Sequence, residues 1–378
     1  MSERLTQKPC DVVVIGGGIV GAACAAELAA EKLSVAIIEA RLIGGGATAA
    51  GMGHVVVMDD SEAQFVLTRY SQILWNELRD ELPHEVEHDV CGTIWVAADD
   101  EEMDEVFRKH RFYSERGVAV EVLDAQALAE AEPNLRPGLL GGLRVPGDSV
   151  IYPPCAAQFF VERAVARGAR LILGKAVDAL TREGVRLRDG STISAGLVVN
   201  AAGSWSPELT PELSVKKRKG HLLITDRYPH FVRHQLVELG YLKSAHSVST
   251  DSVAFNIQPR KTGQLLIGSS RQYQVEDTRI DSSILTRMLQ RAIGYVPALG
   301  KLSTLRAWTG FRAATPDKLP LIGPYNERLY LATGHEGLGI TTSLGTAKLL
   351  VDQIMNRQPD IALTPYLPSR PAQERAHA

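Results

Sequence analysis

The hydrophobic and polar positions at the start of the chain alternate as a βαβ unit would require. Asp11-Val-Val-Val-Ile15 is a short β-branched apolar run that ends in three glycines, the pattern of a strand buried on both faces. Ile19 to Lys32 follows, alanine-rich and helical in spacing, and Ser34-Val-Ala-Ile-Ile-Glu39 repeats the strand pattern. Helical spacing returns over residues 62–82, 101–116 and 154–167. From Arg170 to Asn200 the rhythm is strand-like, with a hairpin signal at Arg188-Asp-Gly190. Leu197-Val-Val-Asn-Ala-Ala-Gly203 reads as another buried strand ending in a glycine turn.

Residues 219–266 carry short alternating runs, among them Gly220-His-Leu-Leu-Ile-Thr225, and predict an antiparallel sheet. A helix near residues 282–293, a strand over residues 329–334 and a last helix from about Thr341 to Arg357 complete the series. Thr341, Thr342 and Ser343 stand where they would cap that helix. The expected class is α/β (α+β overall): a Rossmann-like domain with an antiparallel sheet domain inserted. Residues 1–85, 140–210 and 305–370 are expected to form the first domain, 86–139 and 211–304 the second. Residues 371–378, within the polar end Pro368-Ser-Arg-Pro-Ala-Gln-Glu-Arg-Ala-His-Ala, are expected to be a frayed tail.

Composition narrows the partners. A formal net charge of −3 gives no reason to expect nucleic acid. Cys10, Cys24, Cys91 and Cys155 are scattered without a CxxC pair, so no metal or disulfide framework is expected and a cytoplasmic location fits. Val12 to Leu28 resembles a signal-peptide core, but its glycines and Glu27 favour a strand–turn–helix. No stretch predicts a transmembrane span.

Gly16-x-Gly18-x-x-Gly21 follows a strand and opens a helix, and Glu39 stands 18 residues after Gly21 at the end of the next strand. The glycines permit the tight turn, the close approach of a pyrophosphate and close helix–strand packing, and the acid accepts from a ribose hydroxyl. Glu39 disfavours a 2′-phosphate. The fingerprint serves FAD and NAD alike. A second glycine-rich loop, Arg41 to Met52, suits a longer cofactor, and Gly334-His-Glu-Gly-Leu-Gly-Ile340 places another set of amides before the last helix.

These motifs occur in order with Asn200-Ala-Ala-Gly-Ser-Trp205 and Trp308-x-Gly310-x-Arg312-x-x-Thr-Pro-Asp317-x-x-Pro320-x-Ile-Gly323. The combination resembles the D-amino-acid oxidase (DAO) family of FAD-dependent oxidoreductases, in its glycine/sarcosine oxidase-like branch. Within that branch it is most similar to the FAD subunits of D-hydroxyproline dehydrogenase, opine oxidase and hydrogen cyanide synthase.

The resemblance implies contacts to non-covalent FAD from several segments. They are Gly16, Gly18, Ile19, Val20 and Gly21; Glu39, Ala40 and Arg41; Ala47, Thr48, Gly51 and Met52; the Val177 backbone; Ala202 and Gly203; and His335, Glu336, Gly337, Leu338, Gly339, Ile340 and Thr341. The last group would aim helix amides at the reduced ring, worth about 1–2 kcal/mol. It also implies oxidation of an amino or imino acid to the imine by hydride transfer to flavin N5, with Arg312 pairing the substrate carboxylate. An ion pair between Arg312 and Asp317 is the structural alternative. His54 and Tyr241 are further catalytic candidates, with Lys243 beside Tyr241.

The favoured substrate is D-hydroxyproline or a related D-amino acid. The alternatives are a stand-alone glycine/sarcosine-type oxidase releasing peroxide and an opine oxidase subunit. A partner subunit is expected to carry electrons onward, which would also allow a position at the inner membrane surface through a complex. The absence of cysteine over residues 308–315 predicts dissociable FAD. Glu336-Gly-Leu-Gly stands where glycine oxidases carry an arginine, which argues against glycine. The basic run Lys216-Lys-Arg-Lys219 reads as a solvated loop, with a docking patch as the other reading.

Overall fold

A computed structural model describes residues 7–240 and 251–371. Tyr241 and Lys243 lie outside the described residues. Strand β1 (Gln7–Ile15), helix α1 (Ile19–Ala30) and strand β2 (Val35–Glu39) form the opening unit, with β1 and β2 parallel in register from Val12–Val35 to Ile15–Ile38. Sheet order is Leu321–Pro324, Leu329–Thr333, Thr192–Asn200, β1, β2 and Arg170–Leu173, flanked by the Val177–Thr181/Gly184–Leu187 hairpin. Every pair along the path is parallel except the antiparallel pair of Leu321–Pro324 with Leu329–Thr333.

β1 shows why its apolar run is unbroken. Val12 and Val14 pack into one core with α1 and the helices Pro153–Ala166 and Ser343–Ile354, while Val13 and Ile15 pack into a second core on the other face. Alanines dominate the buried face of α1, so neighbouring helices lie close to it.

The second sheet runs Thr304–Ala314, Lys216–Thr225, Leu265–Arg271, Ser252–Pro259, Gln235–Glu238, Thr93–Ala97, Gly141–Val145 and Glu121–Asp124. It is antiparallel apart from the parallel pair Gln235–Glu238/Thr93–Ala97. Gly141–Val145 and Thr304–Ala314 belong to this sheet, whereas the sequence boundaries place residues 140 onward and 305 onward in the other domain. No helix among the described residues is long and apolar enough to cross a membrane.

Three readings need correction. The basic run is strand, not solvated loop. Arg218 and Lys219 are buried; Arg218 pairs with Glu336 and lies over the Tyr273 ring, and Lys219 Nζ reaches Asp277 at 3.2 Å. Long-range carboxylates make that burial tolerable. Asp317 pairs with Arg370 at 2.7 Å and not with Arg312, and Arg370 also donates to the Leu319 and Pro320 carbonyls. The polar end therefore stays anchored as far as Arg370. Finally, Thr341, Thr342 and Ser343 make no side-chain cap. The helix starts at Ser343, and the hydroxyls donate to the carbonyls of His54, Leu338 and Ile340 respectively.

Candidate functional site

One long cavity of about 510 Å³ runs between the sheets and touches nearly every glycine-rich motif. At its first end Gly16 has φ +107°, and a Cβ there would come within 2.6 Å of the Ala201 carbonyl oxygen. A Cβ on Gly21 would overlap the Gly16 carbonyl, so Gly21 serves the helix–strand contact without lining the cavity. Gly18 caps α1 with extended backbone and no side-chain bond. Ile19 N–H donates to Thr48 Oγ1 at 3.0 Å, while the amides of Gly18, Val20 and Gly21 have no acceptor among the described residues. No acidic residue stands in the first helical turn. Free amides at a positive dipole end fit a diphosphate.

Glu39 closes this end. Its two carboxylate oxygens accept from Gly17 N–H at 2.7 Å and Arg41 N–H at 2.8 Å. The clamp aims the remaining lone pairs at the cavity, where a ribose diol would donate. Ala40, Arg41, Ala47, Thr48, Gly51, Met52, Val177, Ala202 and Gly203 all line the cavity. Ala202 is positioned by Asn200, whose Oδ1 accepts from its N–H at 3.2 Å while Nδ2 donates to the Ser206 carbonyl.

In the last glycine turn, Glu336 N–H donates to the Ala313 carbonyl and Leu338 N–H to that of His335. The amides of Gly337, Gly339, Ile340 and Thr341 have no acceptor among the described residues. Leu338 and Thr341 do not line the cavity, whereas His335, Glu336, Gly337, Gly339 and Ile340 do. The Thr341 hydroxyl instead bridges the His54 carbonyl and Val56 N–H. The two amide-bearing turns on one cavity, with small residues lining it between them, fit FAD.

Two of the three cavity histidines, His335 and His54, are fully buried and neutral. Burial pushes His335 down to about 3, and its Nε2 meets Thr346 Oγ1 at 2.9 Å. Burial pushes His54 down to about 4, and its Nε2 has no hydrogen-bond partner among the described residues. Arg312 projects from Thr304–Ala314 into the cavity, where its Nη1 donates to the Ser270 carbonyl at 3.0 Å. Glycine makes room for it: a Cβ on Gly220 would stand 2.6 Å from Nη1. At Gly337, across the cavity, a Cβ would lie 3.6 Å from Nε.

Sequence reading missed two side chains here. His221 lines the cavity and accepts from Asp281 N–H at Nε2, 3.0 Å away. That bond puts the ring proton on Nδ1, which donates to Ser270 Oγ at 2.9 Å. Asn256 lines the cavity from Ser252–Pro259. Asn256 is a polar residue inside a mostly apolar strand run, the one available signal; His221 follows the basic run and carries none.

Known proteins resemble this chain over nearly its whole length. Glycine oxidase from Geobacillus kaustophilus is 30% identical over 376 residues, covering 94% of this chain and 96% of the relative. The crystal structure titled glycine oxidase from Geobacillus kaustophilus superposes with a TM-score of 0.88 at 28% identity, covering 97% and 100%. Hydrogen cyanide synthase subunit HcnC from Pseudomonas aeruginosa is 28% identical over 415 residues, covering 95% and 96%. The model of the FAD-dependent oxidoreductase family DAO matches residues 11–353, and the chain belongs to that family.

Proposed function

We propose that the chain oxidises an α-amino or imino acid to its imine, with Arg312 holding the substrate carboxylate. The observation that carries this is the placement of Arg312 in the same cavity as both amide-bearing turns, fixed by Ser270 and flanked by Gly220 and Gly337. A guanidinium presents five N–H donors in a fork that matches a carboxylate. Bound FAD supplies the two-electron acceptor. The chain's own share is to orient the substrate and exclude water, with Met52 and Leu222 as an apolar wall backed by Leu266. With His54 held neutral and only weakly basic, the substrate amine must enter unprotonated, so the rate should rise with pH toward the amine's own pKa.

The finer reading is a cyclic secondary amine of the D-hydroxyproline type, in a chain that passes electrons to a partner subunit. The relative named a subunit of hydrogen cyanide synthase supports the partner. The pairing of Glu336 with Arg218, in place of a second substrate-facing cation, supports a substrate other than glycine. The glycine oxidase relative supports the rival reading, a stand-alone oxidase. Purified protein should be yellow and release its FAD on acid precipitation. Under anaerobic conditions D-hydroxyproline should bleach it and reduce an added dye. Peroxide formation from glycine or sarcosine, without dye reduction by D-hydroxyproline, would replace this reading with the oxidase.

A further inference from the structure

Among the described residues, four cavity-lining side chains bury a polar atom with no partner: His54 Nε2, Ser204 Oγ, Asn256 Oδ1 and Glu336 Oε2. Glu336 already has the Arg218 charge, and His54 and Ser204 lie on segments of the other layer. Asn256 stands apart because it shares the covering sheet with Arg312. Its neighbours Phe255 and Ile257 point into the apolar core on the far face of that sheet, so strand alternation turns Asn256 toward the cavity.

Among the described residues no donor takes up that oxygen. Directly across the ladder is Gly268, where a Cβ would meet Leu222 Cδ2 at 2.7 Å and Met52 Sδ at 3.2 Å. A leucine would suit such a wall better than a carboxamide, because a buried acceptor without a donor is costly. The missing donor belongs to a ligand. We propose that Asn256 accepts the amine N–H of the substrate, and so selects secondary over primary amines; this rests on the function proposed above.

The sheet brings the two groups into one neighbourhood. Arg312 is anchored on the carbonyl of Ser270, and Gly268, opposite Asn256, is two residues away on the same strand. The carboxylate and the amine of one α-amino acid then meet Arg312 and Asn256. A neutral secondary amine has one N–H, which one acceptor satisfies, and its carbon substituents then face Met52 and Leu222. A primary amine would leave its second N–H against the same apolar wall.

The test uses the FAD-loaded protein with Asn256→Leu and Asn256→Ala. Proline and alanine, each in both configurations, are scored by anaerobic flavin bleaching. Cyclopentanecarboxylate, which has the carboxylate but no N–H, is scored by perturbation of the flavin spectrum. The wild type should prefer proline. Both variants should bind it about 10-fold or more weakly while holding cyclopentanecarboxylate within about twofold of wild type. Equal weakening of both ligands, an unchanged preference, or loss of FAD from both variants would overturn the role given to Asn256. If the wild type is bleached by no amino acid, the proposed function itself falls; if it is bleached and the variants keep its preference, only Asn256 is misassigned.

Discussion

His221→Leu separates a positioning role from a merely structural one. His221 is buried and connects two elements: it accepts from Asp281 N–H, at the cap of the Ser282–Tyr295 helix, and donates to Ser270 Oγ. Ser270 is also the residue whose carbonyl holds Arg312 Nη1. Leucine has similar bulk but leaves the Asp281 amide without its acceptor and removes one donor from Ser270. The stability cost should be about 1–3 kcal/mol, the penalty for one buried group left unmade.

The functional cost is a separate quantity. If the chain from Asp281 through Ser270 sets where the guanidinium lies, its loosening should lower kcat/KM for a carboxylate-bearing substrate about 10-fold, since misplacement of an anchor by an ångström is felt in the rate. FAD affinity should be unchanged, because His221 serves the substrate end. His221→Gln, which keeps one acceptor and one donor, should recover part of both losses. The assay pairs thermal unfolding of FAD-loaded protein with single-turnover flavin bleaching. A destabilised His221→Leu with unaltered kcat/KM would refute the link to Arg312.

Three further outcomes follow from separate parts of the molecule. Gly310→Ala would drive a Cβ into Ala50 on the second glycine loop; overpacking of about 1–3 kcal/mol should weaken FAD retention at least several-fold in equilibrium dialysis. Arg370→Ala strands Asp317 half-buried beside the carbonyls of Leu319 and Pro320, and denaturant unfolding should show a loss of about 3–5 kcal/mol. His335 and His54 stay neutral in the folded chain, pushed down by burial to about 3 and about 4. The unfolded chain takes up their protons near pH 6.5, so stability is full above that pH and declines as pH falls toward 4. His335→Gln should remove about 2 kcal/mol of the loss between pH 6.5 and 5, read from unfolding at the two values.

Fold and family are legible in the sequence because their signals are local. Gly16 needs its left-handed backbone, β1 needs apolar residues on both faces, and Glu39 must end a strand; each requirement shows in a handful of adjacent letters. What stayed hidden depends on register between distant strands. Arg218 and Lys219 read as solvated because Glu336 and Asp277 lie far along the chain. Asp317 sits five residues from Arg312 and invites a pairing that Arg370 takes instead. Nothing local marks His221, and nothing beyond its polarity marks Asn256, as a cavity residue until the pairing of Lys216–Thr225, Leu265–Arg271 and Ser252–Pro259 is known. The hydroxyls at Thr341 to Ser343 look like caps, but backbone carbonyls of the preceding turn and of His54 claim them.

The cavity draws one wall from Gly16, Gly18, Ile19 and Val20 and another from His335 to Gly337, Gly339 and Ile340, joined through a sheet whose strands are interleaved along the whole length. A ribosome-bound chain therefore has no complete cofactor pocket until its last helix has emerged. Cofactor capture then becomes a late event in biogenesis, and it rewards only finished molecules. Flavin supply should accordingly govern how much protein survives in the cell, since any copy cut short before residue 340 has nothing with which to grip the far end of the cofactor.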